Sequence, residues 1–341
     1  MGVLAGEIFK EKECGMKREG FRPDSMFSRK MSRKEFMKLM LLGAATLPFF
    51  KFFSNSAEAS TPNFNGRPKR AVEGLYDLVV AKGEDPYSIT LKAVESIGGM
   101  EKFVKNNDVV VVKPNIGWDR SPEQAGNTNP QVVAALIDMA FKAGAKKVKV
   151  FDATCNDARR CYTNSGIGAI AKEHGADVFF VEDWNVVKAN FPYESPMEGW
   201  PILRDAIECD TFINVPILKN HGLTTLTLSM KNLMGVCAGR RGPMHDNIGR
   251  KLVDLTDFIN PELTVIDAYR VLLRNGPTGG DLEDVATMKT VIVSTDPTLA
   301  DTYACGLVDV APESVQYIEV AMNRGFGKYD INSAHKNFIN V

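Results

Sequence analysis

Residues 108–117 read DVVVVKPNIG, residues 129–145 read NPQVVAALIDMAFKAGA and residues 147–152 read KVKVFD. The order is strand, helix, strand. Val109 to Val112 are β-branched and stiff about χ1, which favours extended chain. In the middle stretch Val132, Leu136, Met139 and Ala143 recur at helical spacing, and Gly144 supplies a stop. The first strand is continuously apolar rather than alternating, so both of its faces need cover. Strands of that kind, joined through a helix, belong to a mostly parallel sheet.

The pattern repeats outward. Strands are predicted at 76–81, 108–113, 147–152, 177–182, 210–215, 262–267 and 289–295. Helical stretches such as SGIGAIAKEHGA, PILRDAIEC, DNIGRKLVDLTDFI and DPTLADTYACGLV fit between them. The expected architecture is α/β, a mostly parallel sheet sandwiched by helices in one domain over 75–330. A small inserted lobe is expected around 183–204 or 235–250, and residues 331–341 read as a C-terminal tail.

The 341 residues are 44% hydrophobic and 24% charged, enough apolar content for a substantial core. Residues 1–59 hold eleven Lys/Arg and seven Asp/Glu, leaving thirty against thirty-five in the rest. A mildly acidic body offers no basic face to track a phosphodiester backbone, which argues against nucleic acid. The first 59 residues read as an export signal. A basic cluster (Arg29, Lys30, Arg33, Lys34) precedes an apolar run from Leu39 to Phe53, and Ala57 and Ala59 fit a small-residue cleavage site. Gly43, Pro48 and Lys51 interrupt that run, so it suits a signal segment better than a stable membrane span. Ser32 to Lys38 resembles a twin-arginine signal with Lys34 in the second arginine position. The expected location is therefore the periplasm, with Met26 or Met31 as alternative starts and residues 60–74, rich in Pro, Asn and Gly, as a linker.

In open parallel sheets, ligands bind outside the carboxyl ends of the strands. Those ends supply Lys113 and Asn115, Asp152, Glu182 and Asp183, Lys219 and His221, Asp267, and Asp296. Asp and Asn after a strand are also turn formers and helix caps, the favoured reading for Asp183 and Asp296. Lys113 and Lys219 end apolar strands, where an ammonium is desolvated unless it meets an anion. After Lys219 comes NHGLTTLTLSMKN, which places His221 beside Gly222 and, if 224–234 is helical, turns Thr225, Ser229 and Asn232 to one face with Lys231 on its neighbour. A solvated, capped helix is the plainer alternative. The glycine-punctuated stretch GVCAGRRGPMH adds Arg240, Arg241 and His245 on a loop suited to closing over an anion. No Walker loop, G-x-G-x-x-G after the first strand, G-x-S-x-G or H-E-x-x-H is present. Asp152 and Asp267, with His221 and His245, are weak candidates for a divalent metal. The five cysteines after the leader include no C-x-x-C, so no local iron–sulfur motif exists. Cys155 and Cys161 could pair or stand as buried free thiols, the second being favoured.

VVVVKPNIGW, INVPILKNHGLTTLTLSMKNLMGV and LTVIDAYRVLLRNGPTGG together resemble the family called domain of unknown function 362, over roughly 75–310. The positions matching its pattern are Lys113, Asn115, Lys219, His221, Lys231, Asn232 and Asp267. The resemblance implies exported proteins, some carrying appended ferredoxin-like cysteine clusters that this chain lacks.

The expected function is an exported enzyme acting on a small anionic substrate. Lys113, Lys219 and His221 would be catalytic, and Asn115, Ser229, Lys231, Asn232, Arg240 and His245 would bind substrate. The reaction class stays open. The alternative is a non-catalytic ligand-binding protein or an accessory partner of a redox complex, iron–sulfur related by family association.

Overall fold

The computed structural model describes residues 63–68, 70–72 and 74–341. Residues 1–59, read above as an export signal, and the start of the predicted linker lie outside the described residues. In chain order the strands are β1 (Asn63–Phe64), β2 (Leu78–Lys82), β3 (Val109–Pro114), β4 (Lys147–Val150), β5 (Asp177–Val178), β6 (Val186–Ala189) and β7 (Pro201–Leu203). They continue with β8 (Thr211–Val215), β9 (Ile217–His221), β10 (Thr225–Thr227), β11 (Leu263–Leu272), β12 (Val285–Ser294) and β13 (Lys336–Asn340).

The main sheet runs β13-β2-β12-β11-β8-β3-β4-β5, with β9 beside β11 and β10 antiparallel to β9. The pairings β11-β8-β3-β4-β5 and β2-β13 are parallel, whereas β12 is antiparallel to both β11 and β2. The result is a mixed, mostly parallel sheet flanked by helices. Strand alternation explains the two layers. Val110, Val112, Ile213 and Val215 point to one core, shared with helices Pro86–Ser96 and Pro130–Lys142. Val111 and Phe212 point to the other, against Leu252 and Leu255 of helix Ile248–Ile259 and Leu299 of helix Pro297–Gly306. Each such fully buried valine contributes about 1.5–3 kcal/mol of transfer free energy.

Three long helices start the same way. Asp85, Asn129 and Asp296 each precede a proline and accept a hydrogen bond from the first turn, for example Ser88 N to Asp85 at 2.9 Å and Gln131 N to Asn129 at 3.0 Å. The missing proline N–H costs nothing there, because first-turn donors have no partner inside the helix. Asp296 is thus a cap, as its DPTLAD context suggests.

The structure departs from the sequence reading in several places. The stretch 177–182 keeps only two paired residues; Phe179 stacks on Phe151 and Phe180 meets Tyr162 edge-to-face, at centroid distances of 5.2 and 4.9 Å. The helix read over 224–234 is a hairpin followed by one turn. Thr225 to Thr227 pair with His221 to Lys219, Thr225 has φ 63°, and only Ser229–Asn232 is α-helical, continued by a 3-10 turn over Leu233–Val236. Pro216 separates β8 from β9, so one apolar run becomes two strands that both pair with β11, the first also with β3 and the second with β10. Residues 331–341, read as a tail, contribute β13 at the sheet edge. The linker is also anchored: Arg67 is buried in an ion pair with Glu262 and donates to Ile259 O and Asn260 O, both at 3.0 Å. Segment 183–204 carries β6 and β7 of a small sheet completed by β1. Among the described residues, no helix is long and apolar enough to cross a membrane.

Candidate active site

Parallel register brings the site together. β3 lies between β8 and β4, with Lys113 opposite Asn214 and Val112 opposite Val150, so the chain leaving β4 delivers Asp152 beside Lys113. The Lys113 Nζ lies 2.6 Å from Asp152 Oδ1, both groups being buried. That approach is a charge contact without hydrogen-bond alignment at Oδ1, while Asp152 Oδ2 accepts from Ile116 N at 2.6 Å. Lys113 Nζ also donates to Pro114 O (2.7 Å) and Asn232 Oδ1 (3.2 Å). Burial lowers the Lys113 pKa, and Asp152 opposes that shift. Gly235 packs beneath the pair. A Cβ there would sit 1.6 Å from Asp152 Oδ1 and 2.6 Å from Lys113 Nζ, so no side chain fits.

Asn232 is the hub. It donates to Lys113 O (3.2 Å) and to Asn214 Oδ1 (2.8 Å), and its Oδ1 accepts from Asn115 Nδ2 at 3.1 Å. Asn115 then accepts from Lys219 Nζ at 3.1 Å, and Gly126 O accepts from the same ammonium at 2.6 Å. Lys219 is only 1% exposed, yet both acceptors are neutral and no carboxylate pairs with it among the described residues. Burial accordingly pushes its pKa down to about 7; a thiolate at Cys155 would oppose this and the neighbouring Lys231 reinforces it. Lys231 is lowered to about 8, again chiefly by burial. Its ammonium reaches the Met234 thioether, a weak acceptor.

His221 occupies the far wall, nine-tenths buried. Its Nδ1 accepts from Leu223 N (3.1 Å) and Thr224 N (3.3 Å), which assigns the proton of the neutral ring to Nε2. Burial, then Lys231 and Lys219, push its pKa to about 3. His221 therefore presents a neutral N–H donor to the cavity and has no free lone pair with which to act as a base.

These groups line a cavity of about 640 Å³. Its rim is stitched by Arg241, which donates to Ala153 O at 2.8 Å and to Thr154 O, and by Cys155 N to Gly117 O at 2.8 Å. Asn115, Lys219, His221, Lys231, Asn232 and His245 all reach the cavity, with Lys113 just below. Other candidates do not. The Ser229 hydroxyl donates to Pro297 O at 3.1 Å, Arg240 is exposed beside Trp200 rather than in the cavity, and Asp267 receives Asn129 N (2.7 Å) and Tyr269 N (2.9 Å) away from it. Among the described residues no group of three or more His, Cys, Asp and Glu could hold a metal, and Asp152 is engaged by Lys113. Sequence reasoning put Cys155 among buried thiols, but it is exposed at the cavity, whereas Cys161 is buried and both are free. Asn214 carried no signal as a site residue, because its polar side chain sits inside an apolar strand; Arg241 differs from Arg240 only in direction. A larger groove of about 960 Å³ runs beside β5, but two of its three lysines are matched, Lys147 with Asp177 at 2.7 Å and Lys149 with Asp205.

Residues 110–306 match the family described as domain of unknown function 362. The chain belongs to that family. The domain of unknown function 362 segment thus contains every polar residue of the cavity named above. A thylakoid-associated protein of Synechocystis sp. is 30% identical over 206 residues, which is 57% of this chain and 62% of that protein. The chain therefore spans less than two thirds of that relative's length. Among solved structures, the lactate racemase apoprotein from Thermoanaerobacterium thermosaccharolyticum is similar with a TM-score of 0.42 and 11% identity, covering 73% of this chain and 59% of that one.

Proposed function

We propose that this domain of unknown function 362 protein is an enzyme acting on a small organic anion held in the strand-end cavity. One observation carries the reading. Lys219, Lys231 and Arg241 surround a cavity whose only lining carboxylate, Asp152, is already paired with Lys113. A buried cation such as Lys219, beside the half-buried Lys231 and Arg241, is costly without a counter-charge, and an incoming anion removes that cost. The His221 Nε2–H is a neutral donor placed to hold oxygen on which charge develops. Lys219 and Lys231, with pKa values near neutrality, are suited to moving a proton.

Titrating the purified protein with phosphate, malonate and pyruvate, against chloride at matched ionic strength, tests the binding. At least one anion should raise thermal stability beyond the chloride control. Lys231→Gln should weaken that anion about tenfold, or ~1.4 kcal/mol. Equal behaviour of every anion and chloride would end the proposal. Recovery of each bound anion chemically unchanged after long incubation would favour a carrier over an enzyme.

Export through the twin-arginine route belongs to the same proposal, supported by the basic cluster and apolar run before residue 60. Terminal sequencing of the protein from the periplasmic fraction should find a chain beginning near residue 60; intact protein confined to the cytoplasm would refute it.

A further inference from the structure

Cys155 is the exposed thiol of the cavity, and Cys161, Cys209, Cys237 and Cys305 are buried free thiols. Burial pushes Cys161 up to about 11 and Cys209 and Cys237 up to about 12, which makes them poor nucleophiles. The loop bearing Cys155 is held firmly: Ala153 N donates to Gly235 O at 2.9 Å, Arg241 holds the carbonyls of Ala153 and Thr154, and Cys155 N donates to Gly117 O. Cys155 lines the same cavity as Lys219 and Lys231.

An independent observation points to a ligand in the same space. His221 lines the cavity and is nine-tenths buried, its Nδ1 is satisfied by backbone, and its Nε2–H makes no hydrogen bond among the described residues. The cavity thus offers cations for a carboxylate, a neutral N–H for an oxygen and a thiol for an electrophilic carbon. A carbonyl acid carries all three complements.

We infer that Cys155 is a nucleophile that adds reversibly to the carbonyl carbon of a small 2-oxo or aldehyde acid held in this cavity, an inference that rests on the anion-site reading above. The thiol proton passes to the Lys231 amine. Sulfur forms the S–C bond while the C=O π pair moves onto oxygen, where the His221 Nε2–H receives it. The oxygen then takes the proton back from the Lys231 ammonium, giving a hemithioacetal with no atom lost and no redox change.

Glyoxylate carrying an isotopic label at its aldehyde carbon is the probe, followed by NMR with the whole protein. Wild type should give a protein-bound hemithioacetal resonance, and Cys155→Ser should give none while keeping its thermal shift with malonate. Iodoacetate should alkylate Cys155 faster, relative to iodoacetamide, than it alkylates glutathione, by about tenfold, and Lys231→Gln should remove that preference. A wild type that is stabilised by glyoxylate but shows no adduct overturns the nucleophile and leaves the anion site standing. A wild type indifferent to glyoxylate overturns this inference, and one indifferent to phosphate, malonate and pyruvate as well overturns both. An adduct that persists in Cys155→Ser assigns the bond to an amine and refutes Cys155.

Discussion

Replacing Asp152 by asparagine is expected to destabilise the protein by about 3–5 kcal/mol, among the largest effects available from an isosteric change. Lys113 is fully buried and Asp152 is the carboxylate that compensates it, at 2.6 Å. Asparagine can still accept from Ile116 N, so the local turn survives and the loss isolates the charge. The ammonium then has only Pro114 O and Asn232 Oδ1, and its pKa falls further than burial already lowers it. Lys113→Met combined with Asp152→Asn should recover part of the loss, because the double change removes the charge that lacked a partner. Urea denaturation of the two single variants and the double variant measures this. A loss below about 1 kcal/mol for Asp152→Asn, or strict additivity of the pair, would show that the ion pair does not hold the strand ends together.

Lys219→Met is expected to change how stability depends on pH. The folded pKa of Lys219, about 7, lies below its ordinary value of 10.5. Between those values the unfolded chain holds a proton that the folded chain lacks, so wild-type stability rises with pH through that window. From about pH 7 to about pH 9 the difference amounts to roughly 2 kcal/mol, and the methionine variant should lack it. A bound anion reverses the effect, since it raises the pKa towards its ordinary value and stabilises the protonated form. Denaturation curves across that range, in chloride and then in the best-binding anion, provide the comparison. Identical pH profiles for wild type and variant would mean that Lys219 is neutralised by something other than a ligand.

The layers and the strand-end rule were legible because they depend on short-range patterns. Val109 to Val112 need cover on both faces wherever they lie, and Pro130 after Asn129 starts a helix by local geometry alone. Lys113, Asn115, Lys219 and His221 were readable for a similar reason, each being a polar residue at or just past the carboxyl end of an apolar strand. The hairpin of β9 and β10 was not readable, because the periodicity of LTTLTLSMKN suits a short helix as well as two strands. Pairing of Thr227 with Lys219, a contact absent from any local window, decided it.

Side-chain partners formed the other class of missed features. Asp152 looked like a metal ligand until the register of β3 and β4 set it against Lys113, and Cys155 looked like a core thiol until Arg241 and Gly117 held its loop at the cavity rim. The sequence by itself determined that this protein would be an α/β sandwich with cationic residues at its strand ends, since burial and propensity act along the chain. Which cations are neutralised, and which lack a carboxylate partner among the described residues, followed from the fold alone, because ion pairing depends on distances of a few ångströms between residues far apart in sequence.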